Sequence, residues 1–380
     1  MNDILIASIQ SKFSDLFNNT PQLFFSPGRI NIIGEHTDYN DGFVFPAAID
    51  KGIIAAIQKS NTDFCVVFAY DKNESFQFSL DDIEPITNGD WKNYILGVVA
   101  ILQEKGKKIE PFNMVFGGDI PSGAGLSSSA ALENSVVFGL NELLKLGMSK
   151  KEMIIISQQA EHEYAGVKCG IMDQYASMFG QKNKGLLLDC RSIEATPFHI
   201  DFKDYQLILI NTNVKHSLSE SAYNNRRTVC EKIASLLDVM ALRDVTEEDL
   251  LKLKSQISEE DYQKALYVIQ ENIRVHLASM AMESNDIFGL GGLLYKSHSG
   301  LQNQYKVSCE ELDFLVDSTK VFQEIIGARM MGGGFGGCTI NLIKNNSEEV
   351  IDAIIKAYQL KFNIKPSVYQ VNIEDGVKVL

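Results

Sequence analysis

A chain of 380 residues, 45% of them apolar, can build two domains with sizeable cores and is no disordered tract. Its formal net charge of −14 argues against partners such as nucleic acid or an anionic membrane surface, which attract basic patches. Six scattered cysteines without a CxxC pair fit free thiols in a reducing compartment, the cytoplasm, better than a disulfide framework.

The opening MNDILIASIQSKFSDLF has amphipathic helical spacing and an early acid, which makes it a poor signal peptide. No run is long and apolar enough to span a bilayer. Next comes PGRINIIGEHTDY, Pro27 to Tyr39. Glu35 and Asp38 are fixed acceptors for hydroxyl donors, His36 can donate or accept, and Arg29 carries a planar, permanently charged fork suited to phosphate. Gly34 and Gly42 allow the tight turns that would gather these groups. The set suits a polyol beside an anion, but a surface loop cross-linked by salt bridges would have the same composition. A metal site from Glu35, His36 and Asp38 lacks the paired-histidine spacing of a helical zinc motif.

Phe43 to Ile57 and Phe64 to Tyr70 read as strands, and Trp91 to Gln103 as a helix. A strand in PFNMVFGGDI leads into PSGAGLSSSAALE, Pro121 to Glu133, and a helix runs from about Ser129 to Leu146 before Gly147. Gly123 and Gly125 permit close backbone approach, and Ser127, Ser128 and Ser129 sit where a helix opens its free amides, which together describe a phosphate cradle. It is no Walker A loop, because Lys-Ser/Thr is missing. Ser149 and Glu152 have capping-box spacing for a further helix, closed near Gly166.

The second half begins near Asp201, after an apolar strand at Leu186 to Leu188. A strand at Tyr205 to Thr212 and helices from about Ser221 to Met282 follow. Gly332, Gly334 and Gly337 of MGGGFGGCT satisfy GxGxxG, yet a dinucleotide fingerprint must follow a strand and open a helix. Here an amphipathic helix, Glu311 to Arg329, precedes the glycines and a strand, Cys338 to Ile343, follows.

Taken in order, PGRINIIGEHTDY, WKNY at Trp91 to Tyr94, the phosphate loop, CGIMDQYAS at Cys169 to Ser177, SAYNNRR and the glycine turn resemble the motifs of the galactokinase family. That family sits within the small-molecule kinase superfamily that also holds homoserine and mevalonate kinases. The resemblance implies an α+β, two-domain kinase. Residues 1–200 would form a ribosomal S5 domain 2-like domain and 201–380 a ferredoxin-like one, with the active site between them. It also implies transfer from ATP, with Mg²⁺, to the anomeric hydroxyl of α-D-galactose, by a monomer. Asp173 becomes the base with Arg29 beside it, and Arg29, Glu35, His36, Thr37, Asp38, Gly170, Asp173 and Tyr223 become sugar contacts. The loop Gly123, Ala124, Gly125, Leu126, Ser127, Ser128 and Ser129 becomes the nucleotide site, and Ser129 with Glu161 the magnesium ligands. Glu163 is a rival to Glu161, but residues two apart on a helix cannot both face one site. Ala69 departs from the pattern, since many relatives place serine there. An N-acetylgalactosamine kinase and a non-catalytic galactose sensor have related motifs.

Overall fold

The structure, a computed structural model, describes the chain except for Met1, Ser122 and residues 216–218, and except for the side chains at 215 and 219–222. Ser122 of the phosphate loop and the side chains of Ser221 and Ala222 in SAYNNRR therefore lie outside the described residues.

Six strands form the first sheet, in the order Lys378–Val379, Gln22–Asn31, Pro46–Lys59, Phe112–Gly118, Phe64–Ala69, Glu74–Ser79. Neighbours are antiparallel except Phe64–Ala69 and Phe112–Gly118, a parallel pair that needs the crossover helix Trp91–Glu104. Period-two alternation sorts the residues of the long strand Pro46–Lys59. Ile54 and Ala56 meet Ile9 and Phe13 of the first helix, while Ile53, Ala55 and Ile57 join the larger core under Ser128–Leu144 and its neighbours. The chain's last strand returns to this sheet.

A second sheet, antiparallel throughout, has the order Ile325–Met330, Gly336–Lys344, Tyr205–Lys215, Ser367–Gln370. A small third sheet joins Phe43–Val44, Lys184–Asp189 and Glu194–His199. One core cluster packs Ile30, Ile32 and Phe45 of the first half against Leu209, Leu294 and Ile340 of the second, so the two halves share buried surface where the signature loop leaves its strand.

The capping box at Ser149 forms as its spacing requires. Three local readings need correction. The strand expected over Phe43 to Ile57 breaks at Phe45, which belongs to neither strand. The helix after the phosphate loop starts at Ser128 and ends at Leu144, with left-handed Lys145, not Gly147, as its cap. The expected helix Glu311 to Arg329 ends at Thr319, and its remainder becomes the strand Ile325–Met330. Apolar spacing cannot separate a short buried strand from the end of a helix. Gly327 packs against the backbone of Gly291 too closely for a side chain, which holds that strand against its helix.

Candidate active site

A register shift between Pro27 and Arg29 marks a bulge in the strand Gln22–Asn31. Such bulges re-aim side chains. Here the Arg29 amide turns to donate to Leu126 O at 3.1 Å, and its guanidinium reaches Asp173: Nε–Oδ1 2.7 Å, Nη2–Oδ2 2.8 Å. Arg29 Nη1 donates to Gly125 O at 2.7 Å, and Ser127 Oγ donates to Asp173 Oδ2. Asp173 lies in the first turn of Met172–Phe179, where the helix dipole favours an anion. One acceptor position on Oδ1 and two N–H groups of Arg29 remain for a ligand.

Beyond the bulge the signature loop is clamped by the second half of the chain. Gly34 donates its amide to Glu271 at 3.0 Å, and Tyr267 Oη donates to Glu35 O. Glu35 Oε1 accepts from Arg329 Nη1 at 3.1 Å and from the Gly332 amide at 2.9 Å, which leaves Oε2 for a ligand. Arg329 is fully buried and also donates to the carbonyls of Asn31 and Ile32. His36 Nδ1 pairs with Tyr39 Oη, and the Tyr223 ring lies 5.3 Å from the His36 ring.

These groups line one cavity of about 120 Å³: Arg29, Glu35, His36, Asp38, Glu161, Asp173 and Tyr223, with Val167, Cys169, Met172, Gly332 and Gly333. Burial, then the negative charge of Asp173, pushes the Asp38 carboxyl up to about 7, against a hydrogen bond from the Tyr39 amide. Gly170 lies so close to the Asp38 carboxylate that no Cβ fits between them. Thr37 does not reach the cavity. Its hydroxyl bonds to Gly34 O and Phe43 O, a brace behind the loop, so the expected sugar contact is not among the cavity-lining groups.

The phosphate loop divides its tasks. Ala124 and Leu126 are buried in the core, so their side chains anchor the loop and only their backbone is available to a nucleotide. Ser127 turns in the left-handed region, with φ 59°, and leaves the amides of Ser128–Leu144 without a side-chain cap. Gly123 and Gly125 line a cleft shared with Gly333, Gly334, Gly336 and Gly337, which brings the loop after Pro121 and the glycine turn of MGGGFGGCT together. Ser128 and Ser129 open onto a larger cleft of about 440 Å³ lined by Ile53, Ala69, Lys72, Trp91, Tyr94 and Phe116.

Glu161 and Glu163 separate as helical geometry demands. Glu161 opens a π turn, Glu161–Ala165, and points inward, while Glu163 is exposed. Glu161 Oε1 accepts from Ser129 Oγ at 3.1 Å, and burial, then Asp173, pushes its carboxyl up to about 7. Behind it, Gln174 Nε2 bridges Glu161 (2.8 Å) and the buried Glu133 (3.3 Å). Gln174 and Glu133 lie inside quoted motifs, but Arg329, a lone charge in the run IIGARMM, carried no sequence signal of a role in the site.

Three family models match: the galactokinase galactose-binding signature over residues 11–59, the GHMP kinases N terminal domain over 93–181 and the GHMP kinases C terminal over 279–360. The fold and site are those of a small-molecule kinase of that superfamily. Methanococcus jannaschii mevalonate kinase shares the fold, with a TM-score of 0.64 at 19% identity over 94% of this chain and 99% of its own. Galactokinase of Thermosipho africanus is 41% identical over 93% of this chain and 98% of its own. That of Clostridium acetobutylicum is 37% identical over 98% and 99%. Lactococcus lactis galactokinase complexed with galactose superposes with a TM-score of 0.94 at 33% identity, over 99% of this chain and 100% of its own. The chain belongs to the galactokinases.

Proposed function

We propose that this chain transfers the γ-phosphoryl group of ATP to the anomeric hydroxyl of α-D-galactose. What carries the reading is the single cavity on which the ion-paired Asp173 and Arg29 face Glu35, His36, Asp38 and Tyr223. The hydroxyl of the sugar meets the free acceptor position on Asp173 Oδ1. A loose transition state asks little charge of the attacking oxygen early, so Asp173 orients it first and takes its proton late. Arg29, freed in part from its bond to Gly125 O, offers N–H groups to the transferring oxygens.

The nucleotide takes the adjoining clefts, its phosphates on the uncapped amides at Ser128 and on Gly123 and Gly125. Ser129 and Glu161 suit Mg²⁺: two hard oxygen donors already within hydrogen-bond distance of each other, the acid buried beside the phosphate loop, and these residues would hold the ion together with the ligand's phosphates. Bound there, the ion would neutralise phosphate charge. We divide the chain into domains at 200/201, with the last strand returning to the first.

All six cysteines are free thiols, which supports a reducing, cytoplasmic setting for a monomer acting on small molecules. No helix among the described residues is long and apolar enough to cross a membrane. The intact LSSSA and Asp173 argue against a non-catalytic sensor.

An ADP-release assay over galactose, glucose, N-acetylgalactosamine, arabinose, mevalonate and homoserine tests the reading. Galactose should lead by at least about a hundredfold over its C4 epimer glucose, because a polar site rejects an analogue that leaves buried groups unpaired. Equal catalytic efficiency for the two hexoses would sink it.

A further inference from the structure

His36 is held in the left-handed region, with φ 64°, where a histidine sits at a conformational cost that its surroundings must repay. Its ring begins a chain of hydrogen bonds that leaves the cavity. Nδ1 meets Tyr39 Oη at 2.8 Å, Tyr39 Oη meets Tyr305 Oη at 2.7 Å, and Tyr305 Oη meets Cys230 Sγ at 3.4 Å. The members come from distant parts of the sequence: the turn Asp38–Asn40, the segment just after the helix Ile287–Asn303, and the helix Ser219–Leu236. On the other side of the ring, Nε2 is buried and has no hydrogen-bond partner of good geometry, in a residue that lines the cavity.

The chemistry of the groups orders this chain in one direction. A neutral imidazole has one donor and one acceptor nitrogen, and a phenol is a stronger acid than an imidazole N–H, so Tyr39 donates to Nδ1. The Tyr39 oxygen then accepts from Tyr305, and the Tyr305 oxygen accepts from the Cys230 thiol, a weak donor placed last. The remaining proton of the ring stands on Nε2. A second ring proton is disfavoured: burial first, then the positive charge of Arg226 and Arg329, pushes the imidazole down to about 3, although the Gly333 backbone pulls the other way.

We propose that the Tyr39–Tyr305 relay fixes His36 as its Nε2–H tautomer, an uncharged donor facing the sugar, with Tyr39 and Tyr305 as positioning residues for galactose specificity. The proposal rests on the galactose reading of this cavity. Glu35 and Asp38, when ionised, can only accept. A hydroxyl oxygen that accepts from Nε2–H must therefore send its own proton to an acceptor, and the pair reads one hydroxyl from both sides. An epimer that moves this hydroxyl leaves Nε2–H buried with only the poorly aligned Gly333 backbone for a partner.

Nitrogen-15 NMR of the histidine-labelled full chain, with resonances assigned through His36→Gln, reads the tautomer directly. The wild-type His36 signals should show a protonated Nε2 and a bare Nδ1. Tyr39→Phe should lose that preference and raise galactose KM about tenfold, with ATP KM and kcat within about twofold, a split that a general loss of packing would not produce. Tyr305→Phe keeps Tyr39 but removes its incoming donor, and should give about threefold on galactose KM; it carries the test if Tyr39→Phe does not fold. A protonated Nδ1 in the wild type overturns the relay, as does a folded Tyr39→Phe with the wild-type tautomer and galactose KM. Galactose that leaves the His36 signals unmoved while the tautomer is as stated overturns the sugar site, not the relay.

Discussion

The cavity proposed for the sugar and the cleft proposed for the nucleotide are built on opposite terms. In the cavity, Arg29, Glu35, His36 and Asp173 each already have a protein partner, so the groups left over are few and fixed in direction. The cleft presents Ile53, Trp91, Tyr94, Phe116 and the open end of a helix, with Lys72 bridged to Asp90 at its rim. The difference follows the ligands. A small polyol differs from its epimers by one hydroxyl, and only preset partners convert that into an energetic penalty. A large anion is held by backbone amides and contact area, which depend little on any one side chain.

The contrast breaks most visibly at Asp173. Asp173→Asn keeps the shape but cannot take a proton, and should lower kcat by about 10²- to 10⁴-fold with both ligands still bound, as single-turnover kinetics and calorimetry would register. Turnover within a few-fold of the parent would remove Asp173 from its role.

Arg329→Met comes next, since it leaves the buried Glu35 carboxylate with the Gly332 amide but without its arginine, and removes the donor to the carbonyls of Asn31, Ile32 and Met330. We expect a loss of about 3–5 kcal/mol in stability and a rise of about a hundredfold in galactose KM, with ATP KM changed far less. An equal rise in both would mean that the halves of the chain have come apart rather than that Glu35 has lost its aim.

Acidity acts on both sites, through Asp38 in the cavity and Glu161 beside the phosphate loop. With the Asp38 carboxyl up at about 7, the acceptor is lost as pH falls through 7, so galactose KM should climb by about tenfold between pH 7.5 and 6. Over the same range Glu161, the proposed magnesium ligand, also takes up its proton, so the KM for magnesium-ATP should rise as well unless the bound ion holds that carboxyl ionised. The stability effect has the opposite sense. The native state holds this proton over a range, from about 4 to about 7, in which the unfolded chain has released it, so stability falls as pH rises through that window and stays low above it. Glu161, raised to about 7, adds in the same direction. Thermal melts of the parent and of Asp38→Asn from pH 4.5 to 8 should show a shallower decline in the variant, and parallel curves would refute the assignment.

Smaller effects belong to the cleft. Ser129→Ala should weaken magnesium-dependent ATP use about tenfold and leave galactose affinity unchanged in calorimetry. Ala69→Ser, which adds a hydroxyl to the lining of the cleft, should alter ATP KM by no more than about threefold.

Sequence by itself determined the parts whose chemistry is local. The capping box at Ser149, the glycines of the phosphate loop and the run from Arg29 to Asp38 could be read because a turn or a helix start needs particular residues at fixed offsets. It did not report which way each side chain in that run faces. Thr37 stands between two cavity residues, yet the short turn aims its hydroxyl at Gly34 O and Phe43 O behind the loop. Only the tertiary structure decided how the site is held. Arg329 reaches Glu35 across 294 residues, and Tyr305 reaches Tyr39 across 266. Nothing in the spacing of Ile325–Met330 separates a buried arginine that orders a carboxylate from a helix end, because hydrophobic period reports which face is buried and not what a polar group will meet there. That choice is made by packing: a charge removed from water must find its partners, and the chain folds so that these bring the two halves together around the cavity.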